Sequence, residues 1–157
     1  MELIGKPTIN PILFYTGKCS GYITWAAMLL SVLQINIVEK VSFFYNDYIS
    51  FVLLMIGLIF VFISLINLGS SIRFGLPTKS TIFKTNGLYK ISRNPMYVGF
   101  NLITTASMIY TLNILVIILG LYCMIIYHFI ILAEERFLKN RFGAPYLNYL
   151  KKTGRYL

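Results

Sequence analysis

Acidic residues are scarce in this chain: five Asp and Glu stand against fourteen Lys and Arg in 157 residues. There is one histidine, and the two cysteines, Cys19 and Cys123, do not form a C-x-x-C pair. That excludes the thiolate metal sites and disulfide-exchange centres that such pairs build, and leaves both cysteines reading as small apolar residues. No G-x-G-x-x-G run opens a strand–turn–helix unit, so no soluble dinucleotide-binding domain is encoded. Internal repeats and low-complexity tracts are lacking too. The net charge of +9 comes without a helix-turn-helix, zinc-finger or RNA-binding pattern, and nucleic acid is not an expected partner.

What the chain has instead is apolar length. Hydrophobic residues make up 57% of it and charged residues 12%, with a mean hydropathy of +0.73. One soluble core of this size cannot hide that much apolar surface. Four stretches approach the length that crosses a hydrocarbon layer of about 30 Å. They are residues 20–38, 49–68, 96–112 and 114–133, the second without a charge and the last running into a charged extension. Residues 12–15 either extend the first stretch or lie in the interface, and no A-x-A cleavage pattern marks it for removal. The expected fold is an all-α, polytopic membrane bundle of about four transmembrane helices. An N-terminal interfacial helix is an option, and a short cytoplasmic helix is expected at the C-terminus. We read a single domain, 1–157, made of an N-terminal helical pair (1–68) and a core (69–157).

The charges orient the bundle. Lys40 is the one basic residue between the first two stretches, beside Glu39 and Asp47. The segment 69–95 carries Arg73, Lys79, Lys84, Lys90 and Arg93 and no acid, and the tail adds Arg136, Lys139, Arg141, Lys151, Lys152 and Arg155. By the positive-inside rule both termini and the 69–95 loop are expected in the cytoplasm. Membrane lipids are then the nearest partners, with Lys139, Lys151 and Lys152 suited to anionic headgroups. No obligate protein partner is implied.

Polar chemistry gathers in two short clusters. In the first, Gly75-Leu76-Pro77 breaks any helix continuing from the second stretch, and Thr85-Asn86-Gly87 makes a turn. Pro95 then suits a first helical turn, with Asn94 before it as a cap. Arg93 by itself reads as a side chain snorkelling to phosphate. The second cluster is Glu134-Glu135. Glu135 has Lys139 four residues later as an ordinary helical partner. The neighbours of Glu134 at three and four residues are Ile130, Ile131, Phe137 and Leu138, all apolar. A carboxylate there is costly unless a group outside its helix satisfies it. A tight turn near Asn113 folds the last two stretches into a hairpin, which brings the Arg93–Tyr97 corner toward Glu134. The two clusters then form opposite walls of one cytoplasm-facing pocket. His128, on the face of Glu135, is a candidate for shaping it. Beyond Gly143 a helix starting at Pro145 places Tyr146 and Tyr149 on one face, as an interfacial pair or a lid.

These residues carry a resemblance. Thr85-x-Gly87-x-Tyr89, Arg93-x-Pro95-x-Tyr97-x-Gly99 and Glu134-Glu135-x-x-Leu138-x-x-x-Phe142-Gly143-x-x-Tyr146-x-x-Tyr149 are similar to the isoprenylcysteine carboxyl methyltransferase family. The related phospholipid methyltransferases show similar patterns. The resemblance covers about the C-terminal half and implies a membrane-embedded methyltransferase using S-adenosylmethionine. It assigns cofactor contacts to Thr81, Ile82, Phe83, Lys84, Tyr89, Asn94, Pro95, Met96, Tyr97 and Glu134, with Glu135 and Tyr146 completing the set. It makes Arg93 and Glu134 the catalytic pair, Arg93 as organiser of the site. Two positions depart from the pattern: Asn94 stands where the family usually has histidine, and Ile130 where prenylcysteine-methylating members carry arginine. The second departure argues against a prenylcysteine substrate and leaves cofactor binding intact. The implied acceptor is lipophilic or lipidated, and enters between helices while the cofactor enters from the cytosol. Three other readings stand beside this one. They are a nicotinamide-dependent membrane reductase of related helical design, a small transporter, and a non-enzymatic membrane protein.

Overall fold

A computed structural model describes residues 7–35, 37–41, 43, 45–69 and 85–157. Asn10 opens the first helix by accepting the Ile12 N–H at 2.9 Å, and Pro11 occupies its first turn, where no N–H is needed. This helix, α1 (Pro11–Val32), is continuous. Residues 12–15 therefore extend the first apolar stretch and do not form a separate interfacial helix, and the helix stops at residue 32, not 38. Next come α2 (Asn46–Leu68), a 3₁₀ turn (Gly87–Lys90), α3 (Pro95–Thr111), α4 (Ile114–Phe142) and α5 (Ala144–Lys152). The only β pairing among the described residues is a single parallel bridge, Ser92 with Gly154.

Helix ends follow local chemistry. Leu112 takes a left-handed conformation (φ 44°), and Asn113 then caps α4 by accepting the Leu115 N–H at 3.0 Å. The hairpin expected there forms. Gly143, at φ 56°, ends α4 as only a residue without a Cβ does cheaply, and Pro145 sits in the first turn of α5.

Among the described residues two helices, α2 and α4, are long and apolar enough to cross a membrane. At 17 residues α3 is short for a crossing. The 22-residue α1 is diluted by Thr16, Gly17, Lys18, Ser20, Gly21 and Thr24. About four crossing helices were expected from the sequence, and length and composition single out these two. On α2, Met55, Leu58, Ile59, Phe62 and Ile66 all point outward, as a lipid-facing helix requires. At 1.5 Å per residue, α4 is about 43 Å long, which carries its last turns beyond a hydrocarbon layer of about 30 Å.

Helix α1 packs on α3 and α4, α2 packs on α3, and α3 on α4. Lipid tails are as apolar as leucine, so these helices associate through close packing of small residues. Gly17 and Gly21 present a flat face of α1 to Ile126 and Cys123 of α4. On the other side Gly57 of α2 meets Gly99 of α3. A Cβ on Gly57 would lie 2.9 Å from the Gly99 carbonyl oxygen, and one on Gly99 would lie 2.7 Å from that of Gly57. Neither backbone can yield. Gly57→Val is therefore expected to lower stability by about 1–3 kcal/mol, measured as a reduced thermal midpoint in detergent. A surface change on the same helix, Phe62→Leu, should leave the midpoint close to wild type.

Candidate functional site

The polar residues singled out in the sequence converge at one end of the bundle, where α3 begins and α4 ends. Glu134 and Glu135 are neighbours on α4 but point about 100° apart, and the structure gives them different surroundings.

Glu134 is half-buried and accepts a hydrogen bond from the Tyr97 hydroxyl at 3.0 Å. The partner that its own helix lacks is thus supplied by α3. Tyr97 is buried with Phe14, Ile130 and Ile131, and its ring lies in edge contact with Tyr127 at 5.5 Å and Phe100 at 6.1 Å. Tyr89, buried in the 3₁₀ turn, lies within electrostatic reach of Glu134. Burial pushes the Tyr89 phenol well above its ordinary range, and Tyr149 and Glu134 add to the effect. It stays a neutral ring and hydroxyl.

Glu135 is the more deeply buried carboxylate. It does not use Lys139. One oxygen, Oε1, accepts from Arg93 Nε at 3.0 Å and faces Arg93 Nη2 at 3.0 Å. The other, Oε2, accepts from Arg155 Nη2 at 2.9 Å and Arg155 Nε at 3.1 Å. Arg93 therefore turns inward and does not snorkel. Asn94 does not cap α3 with its side chain. Its Nδ2 donates to Glu135 Oε1 at 3.3 Å and to the Arg155 carbonyl at 3.2 Å. The Arg93–Tyr97 corner does come up to the end of α4: Tyr97 meets Glu134, and Arg93 meets Glu135.

The C-terminal residues form a strap over this corner. Arg93 donates its backbone N–H to the Gly154 carbonyl at 2.9 Å and Nη1 to the Thr153 carbonyl. At its far end Tyr156 places its hydroxyl 2.6 Å from His128 Nδ1, with the rings stacked. His128 thus anchors the strap. Helix α5 is docked alongside: Tyr146 is fully buried, its ring 6.0 Å from that of Tyr149, and the Tyr149 hydroxyl donates to the Tyr89 carbonyl. Burial raises the Tyr149 phenol to about 12, and the Tyr146 phenol is also raised, by burial first and Glu135 second.

Of the sequence-derived site residues, Tyr89, Arg93, Asn94, Pro95, Met96, Tyr97, Glu134, Glu135 and Tyr146 come together at this end. Pro95 is buried and Met96 half-buried in the first turn of α3. Thr81, Ile82, Phe83 and Lys84 lie outside the described residues. Ile130 is fully buried in the apolar cluster, so no substrate-facing group replaces the arginine of the family pattern there. Sequence reasoning missed Arg155 and Tyr156. The signal was slight: an arginine flanked by Gly154 and Tyr156 in a tail otherwise read as a topological charge.

Removing the Glu135 charge strands two guanidinium groups, Arg93 with a side chain only 10% exposed and Arg155 at 36%. Glu135→Gln is expected to cost about 3–5 kcal/mol, as breaking a buried pair does. Arg155→Gln should cost less because its group is better solvated. Denaturant or thermal unfolding of both variants in one detergent measures the difference.

Among curated proteins the chain finds no match. The sequence model of the phospholipid methyltransferase family matches residues 45–145, a segment that takes in α2, α3, α4 and both polar clusters. The chain belongs to the phospholipid methyltransferase family.

Proposed function

We propose that this protein is a membrane methyltransferase that takes S-adenosylmethionine at the α3–α4 corner and methylates a lipophilic acceptor. The observation that carries the reading is Glu134. It is a half-buried carboxylate at the edge of an apolar helix, held by the Tyr97 phenol at 3.0 Å with Tyr89 within electrostatic reach.

The residues present suit the cofactor chemically. Glu134 is an acceptor for an ammonium or for ribose hydroxyls. Arg93, Arg155 and Glu135 together leave one net positive charge, which favours a carboxylate nearby. The faces of Tyr89 and Tyr97, both neutral phenols, can lie against a cationic sulfonium. When bound, S-adenosylmethionine supplies a methyl group on that sulfonium, ready for in-line displacement. The protein's part is alignment and exclusion of water. Tyr97 fixes the Glu134 carboxylate by hydrogen bonding, the strap and α5 cover the corner, and Phe14, Ile130 and Ile131 close its membrane side. A carboxylate or thiolate acceptor needs no strong base. The basic segments that border this end suggest that it faces the cytoplasm, so the cofactor would arrive from water and the acceptor from the bilayer.

Calorimetry of the purified protein against S-adenosylmethionine, S-adenosylhomocysteine and NADPH tests the reading. The first two are expected to bind and the third not. Glu134→Gln should weaken S-adenosylhomocysteine by about tenfold or more, near 1.4 kcal/mol, with little change in thermal midpoint. Failure of wild type to bind either adenosyl compound would sink the proposal, and NADPH binding alone would favour the reductase. Transfer of label from the cofactor into a total membrane extract then identifies the class of acceptor.

A further inference from the structure

The segment that matches the family ends at residue 145, so Arg155 lies outside the match. Arg93 and Arg155 both hold Glu135, but they differ in what they have left. Arg93 gives Nε and Nη2 to Oε1 and Nη1 to the Thr153 carbonyl, and its side chain is 10% exposed. All three of its nitrogens are engaged inside the fold. Arg155 gives Nε and Nη2 to Oε2, at 3.1 and 2.9 Å. Its Nη1 has no hydrogen-bond partner among the described residues, and its side chain is 36% exposed. A guanidinium carries five N–H donors in one plane. The side-on grip of Glu135 uses two and leaves the end-on edge open, Nη1 together with the second hydrogen of Nη2. That edge has the geometry to take a second carboxylate in two parallel hydrogen bonds.

An exposed guanidinium edge at this end of a bundle is ordinarily left to water or a lipid phosphate. Two features set Arg155 apart. It is held on Glu135, the neighbour of the carboxylate to which we assign the cofactor's ammonium or ribose. It also sits on a strap pinned at both sides of it. Its own carbonyl accepts from Asn94 Nδ2 at 3.2 Å, and Tyr156 places its hydroxyl 2.6 Å from His128 Nδ1. Residues 154–157 can nevertheless lift at modest cost. Glu135 then keeps Arg93 and Asn94, so no buried charge is stranded. Helix α5 stays in place, because Tyr146 is fully buried. One arginine balances one carboxylate, so the corner is neutral with the strap lifted and carries one net positive charge with it closed.

We propose that the open edge of Arg155 binds the carboxylate of the cofactor's amino-acid part, and that the strap carrying it closes on the loaded corner. The proposal rests on the S-adenosylmethionine reading and extends it to a residue beyond the family match. A ligand shifts an equilibrium only by its differential affinity for the two states. Only the closed strap brings this charge to the corner, so a ligand with a carboxylate favours closure and one without it does not.

Calorimetry with S-adenosylmethionine and its decarboxylated form, which differ only in the carboxylate, tests this on purified wild type, Arg155→Gln and Arg155→Lys. Wild type should prefer S-adenosylmethionine by about tenfold or more. Arg155→Gln should erase the preference while affinity for the decarboxylated form stays near the wild-type value. Arg155→Lys keeps the charge without the planar fork and should cut the preference to a few-fold. A residue that only braced the fold would weaken both ligands alike. Hydrogen exchange at the Arg93 amide, followed in protein with labelled arginine, reports the strap, since this N–H donates to the Gly154 carbonyl. S-adenosylmethionine should slow that exchange several-fold more than the decarboxylated form does. Equal affinity of wild type for the two ligands, or a preference undiminished in either variant, overturns the assignment. Equal slowing of the Arg93 amide by both overturns the closure. Binding of neither ligand ends the cofactor reading and this proposal with it, whereas equal binding of both leaves that reading standing and ends this one alone.

Discussion

A carboxylate set where water is scarce must be neutralised, and in this protein Glu135 is neutralised by two arginines from distant parts of the chain. Arg93 comes from the start of α3 and Arg155 from the last three residues. Arg93, its side chain 10% exposed, would be costly there without the carboxylate, because desolvating an ion costs several kcal/mol even after relaxation, whereas Arg155 is better solvated. Together they fix three segments at one point: the end of α4, the first turn of α3 and the C-terminal strap. The strap's backbone then falls into register, with Gly154 and Thr153 carbonyls on Arg93 and the Arg155 carbonyl on Asn94. Packing of glycine faces holds the helices side by side, but such flat faces tolerate sliding. The ion cluster and its hydrogen bonds remove that freedom at the end where the chemistry is proposed.

The helices themselves were legible because their signals are local. Pro95 at a helix start, a tight turn near Asn113 and Gly143 as a stop each act within a few residues, and each appears where expected. The start of α1 was harder. Thr16, Lys18 and Ser20 weaken the apolar signal, although the backbone runs unbroken from Pro11. At the site, the lack of a helical partner for Glu134 was readable from spacing, and the partner proved to be Tyr97. The fate of Glu135 was not. A lysine four residues on is a sufficient local explanation, worth a few tenths of a kcal/mol. It was outweighed by a buried two-arginine arrangement that involves residue 155, twenty positions away. Long-range ion pairs leave no periodic trace, which is why Arg155 read only as topology.

Adjacent glutamates on one helix can divide their work because their side chains leave the axis in different directions. Glu135 spends its charge on architecture, and by doing so it draws Arg93 away from Glu134. Glu134 is left with a neutral phenol as its hydrogen-bond partner and keeps acceptor capacity that an arginine would have taken up. The structural carboxylate thereby preserves the one at which we propose that the cofactor binds.

The same balance accounts for Asn94. Its Nδ2 has two hydrogens and two acceptors, Glu135 Oε1 and the Arg155 carbonyl, at 3.3 and 3.2 Å. The histidine of the family pattern carries one N–H in its neutral form and can donate from both nitrogens only as a cation. A cation here would be the third around a single carboxylate, beside Arg93 and Arg155. Asparagine supplies both hydrogen bonds from one nitrogen with no added charge. Where the strap brings an arginine to Glu135, a neutral double donor at position 94 is the residue that the electrostatics favour.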